Sequence, residues 1–289
     1  MTSLRDSMLA DRSGLEARHP QVFRIPWVRR LRVVAVAAAL AGLFVWGIVR
    51  LDISWWRIFA GFGELGRIVA LMLPPAYGTE ARLWIYLDAL AQTLAIAFLG
   101  TLLAALIAFP FGFLAARNVV PVWIFRFPLR RAFEGIRGVD ALIWALIWIN
   151  VVGLGPFAGV LALMVSDLGS FGKLFSEAIE NSDRKPVEGV VSTGASPLHA
   201  VRFGLVPQVF PVMASQVLYY FESNTRSATI IGIVGAGGIG LHLTEQIRVL
   251  DWNKVAFLVL MILVTVAVID WISSRLRFAM ISRSVVVVS

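Results

Sequence analysis

Long apolar runs decide the fold class of this chain. Residues 31–49, 90–116 and 255–272 each approach the roughly 20 apolar residues that a helix needs to cross a bilayer. A further stretch, 139–165, is broken at Gly153-Leu154-Gly155-Pro156, which reads as a turn between two spans. Another run covers about 205–220. About six transmembrane helices are therefore expected. Composition agrees: 58% of the 289 residues are hydrophobic and 15% charged, with mean hydropathy +0.80. A soluble domain could not cover that much apolar surface with so few charges. Within lipid every backbone polar group must be satisfied inside the protein, so the expectation is an all-α, polytopic membrane protein.

Charge patterning orients the spans. The first 32 residues carry seven Arg against three acids, and Arg29, Arg30 and Arg32 abut the first run. A cleaved secretory leader is the competing reading. The polar region is long for one, however, and no small-x-small site precedes Arg50-Leu51-Asp52, so the first helix is expected to be retained. Residues 52–82 balance three bases against three acids; 117–137 hold five Arg and one acid, and the segment after Ile272 holds three Arg and no acid. Excess Lys and Arg mark cytoplasmic loops, which places both termini and 117–137 inside. An even span count then puts the charge-balanced loop 173–202 inside too. The net charge of +8 is this bias rather than a nucleic-acid surface, and the absence of Cys excludes disulfide and thiolate chemistry. The expected organisation is a cytoplasmic segment 1–32, a first span with an external interfacial stretch over 33–82, and the main transmembrane domain over 83–277. That domain would carry a cytoplasmic loop at 173–207, and a tail would follow at 278–289. Trp55, Trp56, Phe59 and Phe62 alternate with Arg57 and Glu64, which suits a helix at headgroup level or a lid packed on other spans.

The most informative polar segment is 186–207, PVEGVVSTGASPLHAVRFGLVP. Pro186 and Pro197 each suit a first helical turn, where a missing N–H leaves no gap. Ser196 precedes Pro197 as an N-cap, and Gly194 is placed to end the preceding helix in a left-handed conformation. Two short helices, about 186–193 and 197–204, are expected around a tight bend. Outside a bilayer such an element is a docking surface for another protein.

Gly235-Ala236-Gly237-Gly238-Ile239-Gly240 matches GxGxxG after a strand-like 229–234, but a dinucleotide fold needs a second strand ending in an acid about 20 residues on. Here Asp251 leads into a transmembrane run. Gly232, Gly235, Gly237, Gly238 and Gly240 instead suit close helix packing, or a non-helical backbone buried in a bundle as a gate. No GxxxxGK loop ending in Ser or Thr occurs, so any ATP and Mg would be bound by another subunit. His19, His199 and His242 are scattered, and neither a metal site nor a catalytic set can be assembled.

Between the fifth run and the glycines lies Phe221-Glu222-Ser223-Asn224-Thr225-Arg226-Ser227-Ala228-Thr229. Glu222 and Arg226 are four apart and face each other on a helix. Ionisable groups at membrane depth usually face a cavity, and a guanidinium amid hydroxyls and an amide suits an oxyanion. Arg226, Glu222, Ser223, Asn224, Ser227 and Thr229 are thus candidate pathway residues; a surface ion pair at a helix end is the competing reading. Asp140 and Asp270 are expected as anchors, Asp270 within reach of Arg275 or Arg277.

The positions of Glu188, Gly194 and Pro207 resemble the EAA loop of ABC importer permeases: Glu-Ala-Ala, three residues, Gly, nine residues, Ile-x-Leu-Pro. Gly189 and Val190 stand for the two Ala, and Gly204-Leu205-Val206-Pro207 for the final motif. From about 90 to 277 the chain resembles the permease subunit of a phosphonate-type ABC importer. Gly100-Thr101, 152–160, 172–180 and Pro207-Gln208-Val209 carry the likeness, and most specifically 221–224, 226–229 and 232–240. The resemblance implies a type I importer permease fold in a bacterial inner membrane. It also implies two permease copies, two ATPase subunits and an external binding protein that delivers phosphonate, phosphite or phosphate. Glu188, Gly194, Ala195, Ser196, Pro197 and Pro207 would then couple to the ATPase. Two other classes stay open. A methionine-type permease would share the loop and the glycines without needing Arg226 in an oxyanion path. An integral-membrane enzyme would need titratable groups converging in one cavity.

Overall fold

The computed structural model describes residues 27–286, so the expectations for 1–26 and the last residues of the tail lie outside the described residues. The chain divides into two compact units, one ending at Arg67 and the next starting at Ile68. In the first, α1 (Trp27–Arg50) has 24 residues, about 36 Å, enough to cross a core of about 30 Å. Its apolar residues occupy every face, as a lipid-facing helix requires. After a turn at Asp52, whose carboxylate meets Arg57 at 2.7 Å, α2 (Trp55–Leu71) begins with Trp55, Trp56 and Phe59 exposed.

The second unit contains α3 (Glu80–Ala115), α4 (Trp123–Arg137), α5 (Ala141–Val152), α6 (Pro156–Glu180), α7 (Arg184–Ser192), α8 (Pro197–His199), α9 (Val206–Ile231), α10 (Ile239–Arg248) and α11 (Trp252–Val286). Its centre is the α3–α6 pair, brought close by small residues. A Cβ on Gly100 would stand 2.7 Å from Leu163 Cβ, and one on Gly112 2.8 Å from Phe175 Cβ. Lipid gives helices no hydrophobic reason to associate, so close approach of this kind supplies the dispersion contact. Gly172 likewise faces the ring of Phe133, seating α4 on α6. Phe171, Phe175, Ile179, Leu205 and Val209 fill one buried cluster; Ile96, Leu163, Ala228, Ile231 and Ala236 fill a second.

Five helical segments are long and apolar enough to span, and the α4–α5 pair, bent by 90°, makes up to six. The turn expected at Gly153–Pro156 is there, with Gly153 at φ 89° and Gly155 at φ 137°. The expected third span differs. α5 has only 12 residues, about 18 Å, too short to cross alone, and reaches the length of a span only when counted with α4. The bend sits at Gly138–Val139, where Asp140 caps α5 by accepting from Leu142 N at 2.8 Å. The strand-like reading of 229–234 is also corrected. Burial on several sides makes Thr229–Ile231 the end of α9, and 232–236 form a wide π turn.

Candidate functional site

The knuckle forms as the Pro and Gly positions require. α7 runs Arg184–Ser192, Gly194 takes φ 82°, and Pro197 opens α8, which passes through a π turn at Ala200–Leu205 into α9. The cap of α7 is Asp183, which accepts from Lys185 N at 3.1 Å. Ser196 has the extended backbone of an N-cap, but its hydroxyl does not cap; it meets His199 Nδ1 at 2.7 Å instead. Gly204, at the place of the motif's Ile, has a physical reason to be small: a Cβ there would stand 2.8 Å from Val187 Cα of α7. Glu188, Ala195 and Pro197 line one cleft of about 440 Å³ with Asn118, Val191 and Val201, while Pro207 is exposed in the first turn of α9.

Two braces under this hairpin were not singled out from the sequence. Gln208 accepts from Asp183 N at 3.2 Å and donates to Gly204 O at 2.6 Å, joining the entry of α7 to the exit of the π turn. Glu180, the last residue of α6, accepts from Arg117 N at 2.7 Å and pairs with the guanidiniums of Arg117 and Arg130. The hydrogen bond to Glu180 holds the Arg117 guanidinium above its ordinary pKa. Arg130 also donates to Ala115 O at 3.0 Å, so one carboxylate ties the C-terminal ends of α3 and α6 to the middle of α4.

The glycine segment combines non-helical backbone with close packing. Gly235, Gly237 and Gly238 hold φ of 105°, 79° and 74°, where L side chains are strained. Gly232 and Gly240 are needed for space, since a Cβ on Gly240 would stand 2.0 Å from Thr229 O. The exposed peptide groups are satisfied by neighbouring helices. Gln92 Oε1 accepts from Gly238 N at 2.7 Å, Thr93 Oγ1 accepts from Ile239 N at 2.8 Å, and Gly155 N donates to Gly235 O at 3.0 Å. Non-helical backbone at membrane depth is tolerated only in such a setting.

The 221–229 segment forms the last turns of α9, stopping two residues short of Ile231, and the π turn at 232–236 follows it. Glu222 is buried, and its nearer partner is Arg277 of α11 at 3.0 Å; Arg226 stands at 3.7 Å, with its side chain 49% exposed. The expected pairing of Asp270 with Arg275 or Arg277 is therefore not made: Arg277 serves Glu222, and Arg275 lies 5.5 Å over the Trp271 ring. Asn224 and Thr229 face the interior. Asn224 Nδ2 donates to Thr101 Oγ1 at 2.7 Å and to the buried carboxylate of Asp167, linking α3, α6 and α9. Thr229 donates to Thr225 O at 3.3 Å. Arg226 and Ile230 are exposed on the other side of the helix, with Ser223 and Ser227 half-buried beside them and Ser227 donating to Ser223 O at 3.4 Å. Asp167 is the missed member of this region; an acid inside an apolar run was the available signal.

The family described as binding-protein-dependent transport system inner membrane component matches residues 108–282. The phosphite transport system permease protein PtxC of Stutzerimonas stutzeri is 34% identical over 255 residues, covering 88% of this chain and 91% of that one. The phosphate-import permease protein PhnE of Mycolicibacterium smegmatis is 35% identical over 254 residues, covering 86% of this chain and 47% of that one. Among solved structures the inward-facing MetNI methionine ABC transporter is similar, with TM-score 0.63 and 19% identity over 70% of this chain and 99% of the other. At that identity the likeness is one of fold.

Proposed function

Because the chain belongs to the family of binding-protein-dependent transport system inner membrane components, we propose that it forms the translocation path of an ATP-driven importer for a phosphorus oxyanion. It is a transport component rather than an enzyme. Relatives named for phosphite transport and phosphate import, 34% and 35% identical over 88% and 86% of this chain, support the substrate class over methionine, whose named relatives are 26% and 28% identical over 52% and 30% of it. In this reading ATP and Mg are bound by a separate ATPase in two copies, which docks on the α7–α8 hairpin through Glu188, Gly194, Ala195, Ser196, Pro197 and Pro207. A second copy of this chain completes the path, and an external binding protein delivers the anion. In this reading the protein sits in the bacterial inner membrane with both termini cytoplasmic, which the Arg distribution supports. Closure of the ATPase moves the hairpin and α9 as rigid elements and exposes the cavity outward.

The observation that carries the substrate reading is the open side of α9. Two guanidiniums, Arg226 and Arg277, share the single carboxylate Glu222, which leaves one positive charge in excess. Arg277 takes the closer position, so the half-exposed Arg226 is the one able to attract an anion, with Ser223 and Ser227 as adjacent hydroxyl donors. Asn224 and Thr229 hold the helix in place behind this face, and the glycine segment supplies the gate. Arg226→Gln is expected to cut uptake about tenfold or more, the scale of one charged hydrogen bond. Expression and basal ATP hydrolysis should stay near normal, because Glu222 keeps Arg277. Arg226→Lys should recover only part of the uptake, since an ammonium lacks the bidentate fork. Unchanged uptake in Arg226→Gln would remove the pathway role.

A further inference from the structure

Glu222 is approached by two guanidiniums that do not hold it equally. Arg226 lies one turn further along the same helix, α9, and its Nη1 stands 3.7 Å from Glu222 Oε1. Arg277 comes from α11, and its Nη1 donates to Glu222 Oε2 at 3.0 Å. Only the second distance is that of a hydrogen bond. Burial follows the same order, with the Glu222 side chain 10% exposed, that of Arg277 22% and that of Arg226 49%.

Arg277 is also held from a second direction. Its guanidinium carbon lies 6.0 Å from the centre of the Tyr219 ring, and Tyr219 shares a face of α9 with Glu222, three residues on. Ring and carboxylate therefore make one seat on α9 for a side chain of α11. The neighbouring Arg275 lies over Trp271 at 5.5 Å. Among the described residues, Glu222 is the one carboxylate paired with either Arg226 or Arg277. A carboxylate this buried is costly unless a cation holds it. Were Arg277 absent, closing about 0.7 Å would bring Arg226 to ordinary hydrogen-bonding distance and into its place.

We propose that Arg277 is a positioning residue of the anion path: by occupying Glu222 it keeps the Arg226 guanidinium free to meet an oxyanion. The inference rests on the pathway role of Arg226. It gives α11 a part in that path without any contact with the solute. Two arginines on one carboxylate are thus needed where a single one would be neutralised.

Phenylglyoxal modifies a free guanidinium faster than an ion-paired one, so peptide mass spectrometry of the treated full-length protein in detergent reads the state of Arg226. Arg277→Gln is expected to slow its modification about fivefold, the scale of one partly exposed ion pair. Glu222→Gln with Arg277→Gln should return the parent rate, since nothing is left to capture Arg226. In the assembled transporter, uptake should fall in Arg277→Gln and recover in the double variant. A plain structural brace between α9 and α11 predicts no such recovery. An Arg226 rate unchanged by Arg277→Gln, or uptake no better in the double variant than in the single one, overturns the proposal. Glu222→Gln alone covers the case in which Arg277→Gln does not fold. Its Arg226 should react at the parent rate, because Arg277 already occupies the carboxylate; clearly faster reaction shows Arg226 held in the parent and overturns the proposal too. The labelling needs no solute, so its failure removes the role of Arg277, whereas unchanged uptake in Arg226→Gln removes the pathway on which that role rests.

Discussion

A Cβ on Gly240 would stand 2.0 Å from one backbone oxygen and 3.0 Å from a backbone nitrogen, whereas one on Gly194 would meet nothing within 4 Å. The second glycine is required by its φ of 82° instead. Gly240→Ala should therefore lower the melting temperature and the yield of folded protein in detergent. Overpacking costs about 1–3 kcal/mol, and more where backbone is the obstacle. Gly194→Val should carry about 1–3 kcal/mol of strain confined to the hairpin, with normal insertion but lost co-purification of the ATPase. Equal yields for Gly240→Ala, or intact ATPase binding for Gly194→Val, would contradict these assignments. Both glycines stood out in the sequence, but a glycine does not declare whether it is needed for torsion or for space. Asp167 was less legible still. Its partner Asn224 is 57 positions away, and the third member, Thr101, is 123 positions from Asn224. Only packing brings them together.

At the scale of elements, apolar runs and Pro–Gly punctuation placed the turn at Gly153–Pro156 and the two arms of the knuckle. They failed where polar residues lie inside a helix. The apolar run ends at about residue 220, yet α9 continues to Ile231 because Glu222, Asn224 and Thr225 are buried with partners on α3, α6, α9 and α11. The α4–α5 bend was hidden for the opposite reason, since α5 alone reads as apolar enough to be a span and only its 12 residues betray it. The Glu180 brace joins the ends of α3 and α6 to the middle of α4 just before the loop that leads into α7. Glu180→Gln should weaken it by about 1.5–3 kcal/mol, the worth of hydrogen bonds to charged groups. Thermal unfolding in detergent should show a lower midpoint, with transport reduced more than ATP hydrolysis. An unchanged midpoint would mean that the arginines hold nothing there.

At the scale of the whole molecule, membrane class was legible because 58% hydrophobic content leaves no other way to hide apolar surface. The family was legible because its signals are local: a Glu–Gly–Pro spacing in one loop and a polar-then-glycine block in the next. What could not be read is what faces the open side of α9, because no pattern within one chain records its neighbours. The central claim is most directly tested by uptake into proteoliposomes that hold this chain with its ATPase and external binding protein, supplied in turn with labelled phosphite, phosphate and a phosphonate. ATP-dependent accumulation of at least one of them is expected, lost when the binding protein is omitted and unaffected by excess methionine. Competition by methionine, or ATP-driven uptake of a different solute with no oxyanion accumulated, would contradict it.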